Sequence, residues 1–163
     1  VNHDKMSKPH FIYVTFILTT AEKLWNALTR GDLTQRYWYD RRIESDWQVG
    51  SPVRFFDGDS DVLTDSGEIL VCDPPRQLIY TFRPEAGEGE EAMDFSRVSF
   101  GIESLPGMVK FTLIHDQLPD QEMANAFREG WAPILSSLKT FLETGEPMPR
   151  IRKLEEEGRP AAG

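Results

Sequence analysis

The side chains with chemical reach in this sequence are few and scattered. His115 shares strand parity with Val109, Phe111 and Leu113, so it should face the interior with them. A neutral imidazole there would hydrogen-bond a ligand or move a proton, or else serve as a hydrogen-bonded structural group ending a core strand. Glu68 shares parity with Leu70 and Cys72. Beside a strand-borne arginine such as Arg54 or Arg97, an inward Glu68 would be an acid–base candidate or a polar anchor. Strand charges usually face solvent, and no second group completes a catalytic set. Cys72, next to a turn, reads as a small packed side chain rather than a nucleophile.

Metal chemistry finds little support. His3, His10 and His115 have no ligand spacing. The run Asp57-Gly58-Asp59-Ser60-Asp61 with Glu68 echoes a calcium loop, but Val62 stands where that loop needs glycine and the flanks read as strands. A hairpin turn is expected, with no metal and no cofactor.

The aromatic residues carry more signal. Trp38, Phe55, Phe100, Phe127 and Trp131, with Met123, would either pack a core or wall an apolar pocket, and one flank of a helix can do each.

These residues need elements to hold them. Asp120 to Gly145 places Met123, Phe127, Trp131, Ile134, Leu135, Leu138, Phe141 and Leu142 at steps of three and four, one wide apolar stripe on a long helix. Pro119 and Asp120 suit its start and Gly145 its end. Pro133 cannot donate to the Glu129 carbonyl, so a bend or bulge is expected near residues 130–133. Phe11 to Leu18 reads as a strand covered at least partly on both faces. Thr19 to Glu22 reads as a capping box opening a short helix, and Asp32 to Trp38 as a second one. Strands are expected over residues 40–48, 53–56, 67–72, 77–83, 95–103 and 108–115, with turn residues between them. An acidic loop over 84–94 should separate two of them. Consecutive hairpins make an antiparallel sheet. The reading is an α+β domain over residues 11–146: a curved sheet wrapped around the long C-terminal helix, with two short helices after the first strand. Residues 1–10 and 147–163 read as tails.

At 163 residues and a formal net charge of −9, the chain is one domain with an acidic balance. That argues against nucleic acid and anionic membrane as partners. No apolar run approaches the ~20 residues that span a bilayer. A single cysteine allows no intrachain disulfide and fits a reducing cytoplasm.

In its order of elements the chain resembles the helix-grip, START-like superfamily of birch-pollen-allergen-like and lipid-transfer proteins. Within it, the likeness is to the bacterial branch related to the C-terminal domain of activators of the heat-shock protein 90 ATPase. The residues that carry it are Thr20 to Leu28 (TAEKLWNAL), Trp38, Val49-Gly50, Gly67 to Leu70, Asp73 to Leu78, and above all Gly130 to Gly145 (GWAPILSSLKTFLETG). The resemblance implies a cavity between sheet and helix that holds a small hydrophobic molecule. Homodimerisation is compatible with it.

The expected function is therefore non-enzymatic binding of a small, largely hydrophobic molecule. Trp38, Phe55, Phe100, His115, Met123, Phe127 and Trp131 would wall the site, with Arg54, Glu68 and Arg97 as candidate polar anchors. Two alternatives stay open: an enzyme of cyclase, dehydratase or hydrolase type using the same cavity, and a protein-interaction or co-chaperone module.

Overall fold

The computed structural model describes residues 8–149; the segments 1–7 and 150–163, which make up most of the two expected tails, lie outside the described residues. In chain order the elements are β1 (Phe11–Ile17), α1 (Ala21–Thr29), α2 (Gly31–Tyr37), β2 (Arg41–Ser45), β3 (Pro52–Asp57), β4 (Leu63–Asp73), β5 (Gln77–Pro84), β6 (Ser96–Leu105), β7 (Met108–Asp116) and α3 (Gln121–Thr144). Seven strands form one antiparallel sheet in the order β1-β7-β6-β5-β4-β3-β2. The expected α+β architecture, with α3 against the sheet and α1–α2 inserted after the first strand, is the one observed.

Local chemistry sets the element ends. Asp120 caps α3 by accepting from Met123 N at 2.8 Å, and Gly145, at φ 88°, closes it in the left-handed conformation. Pro119 therefore precedes the cap instead of opening the first turn. For α1 the cap is Thr20, whose hydroxyl accepts from Lys23 N, and not the box beginning at Thr19. α3 runs unbroken through Pro133. Pro133 leaves the Glu129 carbonyl without its helical donor, and close by the Tyr39 hydroxyl donates to the Gly130 carbonyl at 2.8 Å. The segment 57–62 is the turn between β3 and β4, closed by Asp57 N donating to the Val62 carbonyl.

Strands β4 and β5 come unusually close at one glycine. A Cβ on Gly67 would lie 1.6 Å from the Thr81 carbonyl oxygen, so no other residue fits without moving a strand. Inside the curl lie Phe55, Tyr80, Phe100, Phe111 and Leu113, all at most 1% exposed, packed on Trp131, Leu135 and Leu138 of α3. Each such side chain contributes roughly 1.5–3 kcal/mol of burial.

One hydrogen-bonded relay joins helix to sheet. Trp131 Nε1 donates to His115 Nδ1 at 3.0 Å, and His115 Nε2 lies 2.7 Å from Ser96 Oγ. Ser96 Oγ in turn donates to the Phe82 carbonyl at 2.8 Å, which leaves it accepting from the imidazole. His115 is thus the neutral tautomer protonated on Nε2. Burial holds its pKa down at about 4, against an ordinary 6.5. A second proton on Nδ1 would also oppose the indole N–H.

Strand β1 departs from expectation. Its odd residues face the core, but Ile12, Val14 and Phe16 are each nearly half exposed and Leu18 more so. Among the described residues, no element covers the outer face of this edge strand.

Two outcomes follow from this architecture. The folded state takes up the His115 proton only near pH 4 and the unfolded state near 6.5, so the stability His115 contributes is complete above pH 6.5 and is lost as pH falls toward 4. The loss should reach roughly 3 kcal/mol. Urea melts at pH 7, 5.5 and 4.5 should show the wild type losing its lead over His115→Gln across this range; a constant gap would contradict it. Gly67→Ala should destabilise by about 3 kcal/mol or more, because the clash is with backbone. A melting temperature near that of the wild type would show that the two strands separate easily.

Candidate functional site

Where α2 meets β2 the chain reverses through a tight turn: Arg41 N donates to the Trp38 carbonyl at 2.7 Å, and Tyr39 and Asp40 both have positive φ, 46° and 58°. This is a type I′ turn, which glycine and asparagine normally fill. A tyrosine in the left-handed region costs on the order of 1–2 kcal/mol. Its hydroxyl recovers part of that through the bond to Gly130 on α3. The turn sets Trp38 and Tyr39 side by side at the mouth of the sheet, with Arg41 opening β2.

Opposite the turn, α3 presents Phe127, Trp131 and Ile134, and between the two lie Phe82 of β5 and Asp65 of β4. Together they line an open-mouthed cavity of about 190 Å³ between sheet and helix. The rings form an apolar corner: the Trp38 and Trp131 centroids are 5.1 Å apart at 54°, and those of Phe82 and Phe127 6.1 Å apart at 77°. A larger depression of about 390 Å³ lies by Leu18, Ala21, Leu105 and Met108. It has no aromatic wall and opens at the β6–β7 turn, far from the helix–sheet interior, so the smaller cavity is the better binding site.

The polar end of the cavity is Asp65 with Arg41. Asp65 faces inward because it pairs across the strands with Phe55, which is fully buried. Thr64 Oγ1 donates to its carboxylate at 2.8 Å, and Arg41 Nε lies 3.5 Å from the same oxygen. Burial pushes the Asp65 pKa up, against the opposing pull of Thr64 and Arg41. Arg41 is also held by the Tyr39 carbonyl at 3.1 Å and stands 4.0 Å from Asp57.

Of the residues anticipated for the wall, Trp38, Phe127 and Trp131 line this cavity. Phe55 and Phe100 lie one layer behind, fully buried, with ring centroids 5.1 Å from Trp38 and 6.1 Å from Trp131. His115 is deeper still, and both its ring nitrogens are engaged within the protein, so it orients Trp131 rather than reaching the cavity. Met123, in the first turn of α3, is half-buried outside the lining.

The anticipated polar anchors do not converge on the site. Arg54 and Glu68 are exposed, since the inward parity of β3 and β4 belongs to Val53, Phe55 and Ile69. Arg97 is on the opposite face of β6 from Val98 and Phe100, in a bidentate pair with Asp116. The polar groups that do reach the cavity, Arg41 and Asp65, were not singled out from sequence. Asp65 shares parity with Ile69 and not with Leu70, and that alternation was the available signal. It stayed hidden because β4 begins at Leu63, four residues earlier than the turn residues suggest.

Comparison with known proteins adds the family. A profile of the family described as "Activator of Hsp90 ATPase homolog 1-like protein" matches residues 18–143. Comparison with curated proteins gave no match. Among solved structures, CalU16 from Micromonospora echinospora is similar at 22% identity, with 91% of this chain and 82% of that one covered and a TM-score of 0.65. PFC0360w, an HSP90 activator from Plasmodium falciparum, is similar at 20% identity over 82% of this chain and 95% of its own, with a TM-score of 0.66. An Aha1 from Colwellia psychrerythraea, solved as a dimer, is similar at 23% identity over 83% and 97%, with a TM-score of 0.64. At such identities the likeness to these structures is one of fold. The profile match covers most of the chain, and on it this protein belongs to the family of Activator of Hsp90 ATPase homolog 1-like proteins.

Proposed function

We propose that this protein binds a small, largely apolar molecule of one or two rings in the cavity between sheet and α3, without covalent change to it. The observation that carries the reading is the cavity itself. Its walls are Trp38, Phe82, Phe127 and Trp131, and its volume is about 190 Å³. Apolar cavities of ~150 Å³ admit benzene, whereas drug-sized ligands need ~300 Å³ or more. Trp131 is fixed by His115 and Trp38 by its contacts with Phe55 and Trp131, so the walls are set before a ligand arrives.

A second reading concerns assembly. We propose that β1 pairs with β1 of a second copy. The Phe16 carbonyl accepts from Lys139 Nζ and Leu18 N donates to Glu143, so backbone groups of this parity point away from β7. Ile12 and Val14 share that parity, and their side chains form the exposed apolar stripe. Antiparallel pairing about Val14 would set Ile12 against Phe16 of the other copy twice over, as a two-fold interface requires. The Colwellia neighbour having been solved as a dimer supports the idea.

For the cavity, one- and two-ring aromatics should raise the melting temperature and four-ring compounds should not. A tenfold excess over Kd stabilises by about 1.4 kcal/mol. Phe127→Asp, at the half-exposed rim, should abolish the shift with the circular dichroism spectrum retained. Equal shifts in wild type and variant would place binding elsewhere. For β1, sedimentation equilibrium should show a dimer that Phe16→Glu converts to monomer; a wild type monomeric at submillimolar concentration would rule the pairing out.

A further inference from the structure

The size limit of the cavity has an identifiable origin: we infer that Tyr39 and Gly130, bonded to each other across it, set the largest ring system that the site accepts. The inference rests on the binding role proposed above and adds the residues that decide which apolar guests fit.

Both residues belong to the lining, Tyr39 on the turn before β2 and Gly130 on α3. The Tyr39 hydroxyl donates to the Gly130 carbonyl at 2.8 Å, so a phenol ring bridges the turn and the helix. Neither residue type is explained by the element that carries it. The turn holds position 39 at φ 46°, where glycine or asparagine would sit without strain and a tyrosine does not. Strain of that kind persists where the surroundings impose it, as they do at ligand clamps. What the tyrosine adds to the turn is the bridge. Gly130 is the reverse case. Glycine weakens a helix interior, and alanine would serve α3 better. Nothing excludes it: a Cβ on Gly130 would meet no atom within 4 Å beyond its own stretch of helix. Position 130 therefore keeps open the space that a side chain would take up, while position 39 fills space that an ordinary turn residue would leave. Together they fix the room between turn and helix from both sides.

Toluene, naphthalene and phenanthrene form a ladder of one, two and three rings whose affinities equilibrium dialysis can compare. Phenanthrene should bind the wild type about tenfold more weakly than naphthalene. Tyr39→Gly suits the left-handed backbone and removes the ring, and it should raise the ratio of phenanthrene to toluene affinity about tenfold. Tyr39→Phe keeps the ring but releases it from Gly130, and it should raise the same ratio by a smaller factor. Gly130→Leu should lower the ratio of naphthalene to toluene affinity about tenfold. Misfolding would not produce shifts of opposite sign, and a bond that only braced the helix would weaken all three guests alike. Ratios that keep their wild-type values in Tyr39→Gly and Gly130→Leu would overturn the size assignment while leaving the binding role intact. Failure of all three probes to bind the wild type would overturn both.

Discussion

Trp131 reaches across the joint between α3 and the sheet to donate its indole N–H to His115, and the cavity exists in the form it does because that joint is fixed. The relay continues through Ser96 to the Phe82 carbonyl, so one side chain of the helix is tied to three strands. A buried imidazole satisfied at both nitrogens costs little, whereas the same ring with one partner removed would leave an orphan polar atom in the core. The helix therefore has one good seat on the sheet. Phe127 and Ile134, a turn to either side of Trp131, take their places at the cavity from it.

The sheet meets this seat by bending. Gly67 lets β5 approach where any side chain would collide with the Thr81 carbonyl, and the inward row of β4 continues from it to Asp65. The left-handed turn at Tyr39–Asp40 closes the remaining side and is itself tied to α3 through Gly130, beside the gap in hydrogen bonding that Pro133 creates. Bend, turn and helix seat converge on one small space with aromatic walls and a charged end. A domain with no further function would gain stability by filling that space with one more apolar side chain and by replacing the Arg41–Asp65 pair.

The two edges of the interpretation differ in kind. The cavity argument rests on what the protein has arranged internally, four aromatic walls with the Arg41–Asp65 pair at one end. The β1 argument rests on an edge that, among the described residues, has outward backbone groups bonded by Lys139 and Glu143 at its Phe16–Leu18 end. Natural edge strands usually carry charges that discourage pairing, and Ile12, Val14 and Phe16 do the reverse.

Much of the fold was legible in the sequence by itself. The stripe from Met123 to Leu142, the Asp120 and Gly145 caps and the run of hairpin turns determine a long helix that must lie on an antiparallel sheet, because hydrophobic periodicity and capping are local properties. The aromatic candidates Trp38, Phe127 and Trp131 were readable for the same reason. What only the tertiary structure decided was which residues face inward on the strands. Parity fixes that two residues share a face, not which face is the core, and the register shifts between Phe55 and Phe56 and between Ile69 and Val71 further break the alternation. Hence Glu68 and Arg54 turned out to be solvent-facing, while Asp65, hidden in what reads as a turn, became the partly buried carboxylate at the cavity. His115 was inward as its parity implied, but its partners Trp131 and Ser96 lie 16 and 19 residues away in sequence. Only the packing of α3 on the curled sheet could bring them together and turn a candidate ligand group into the pin that holds the site open.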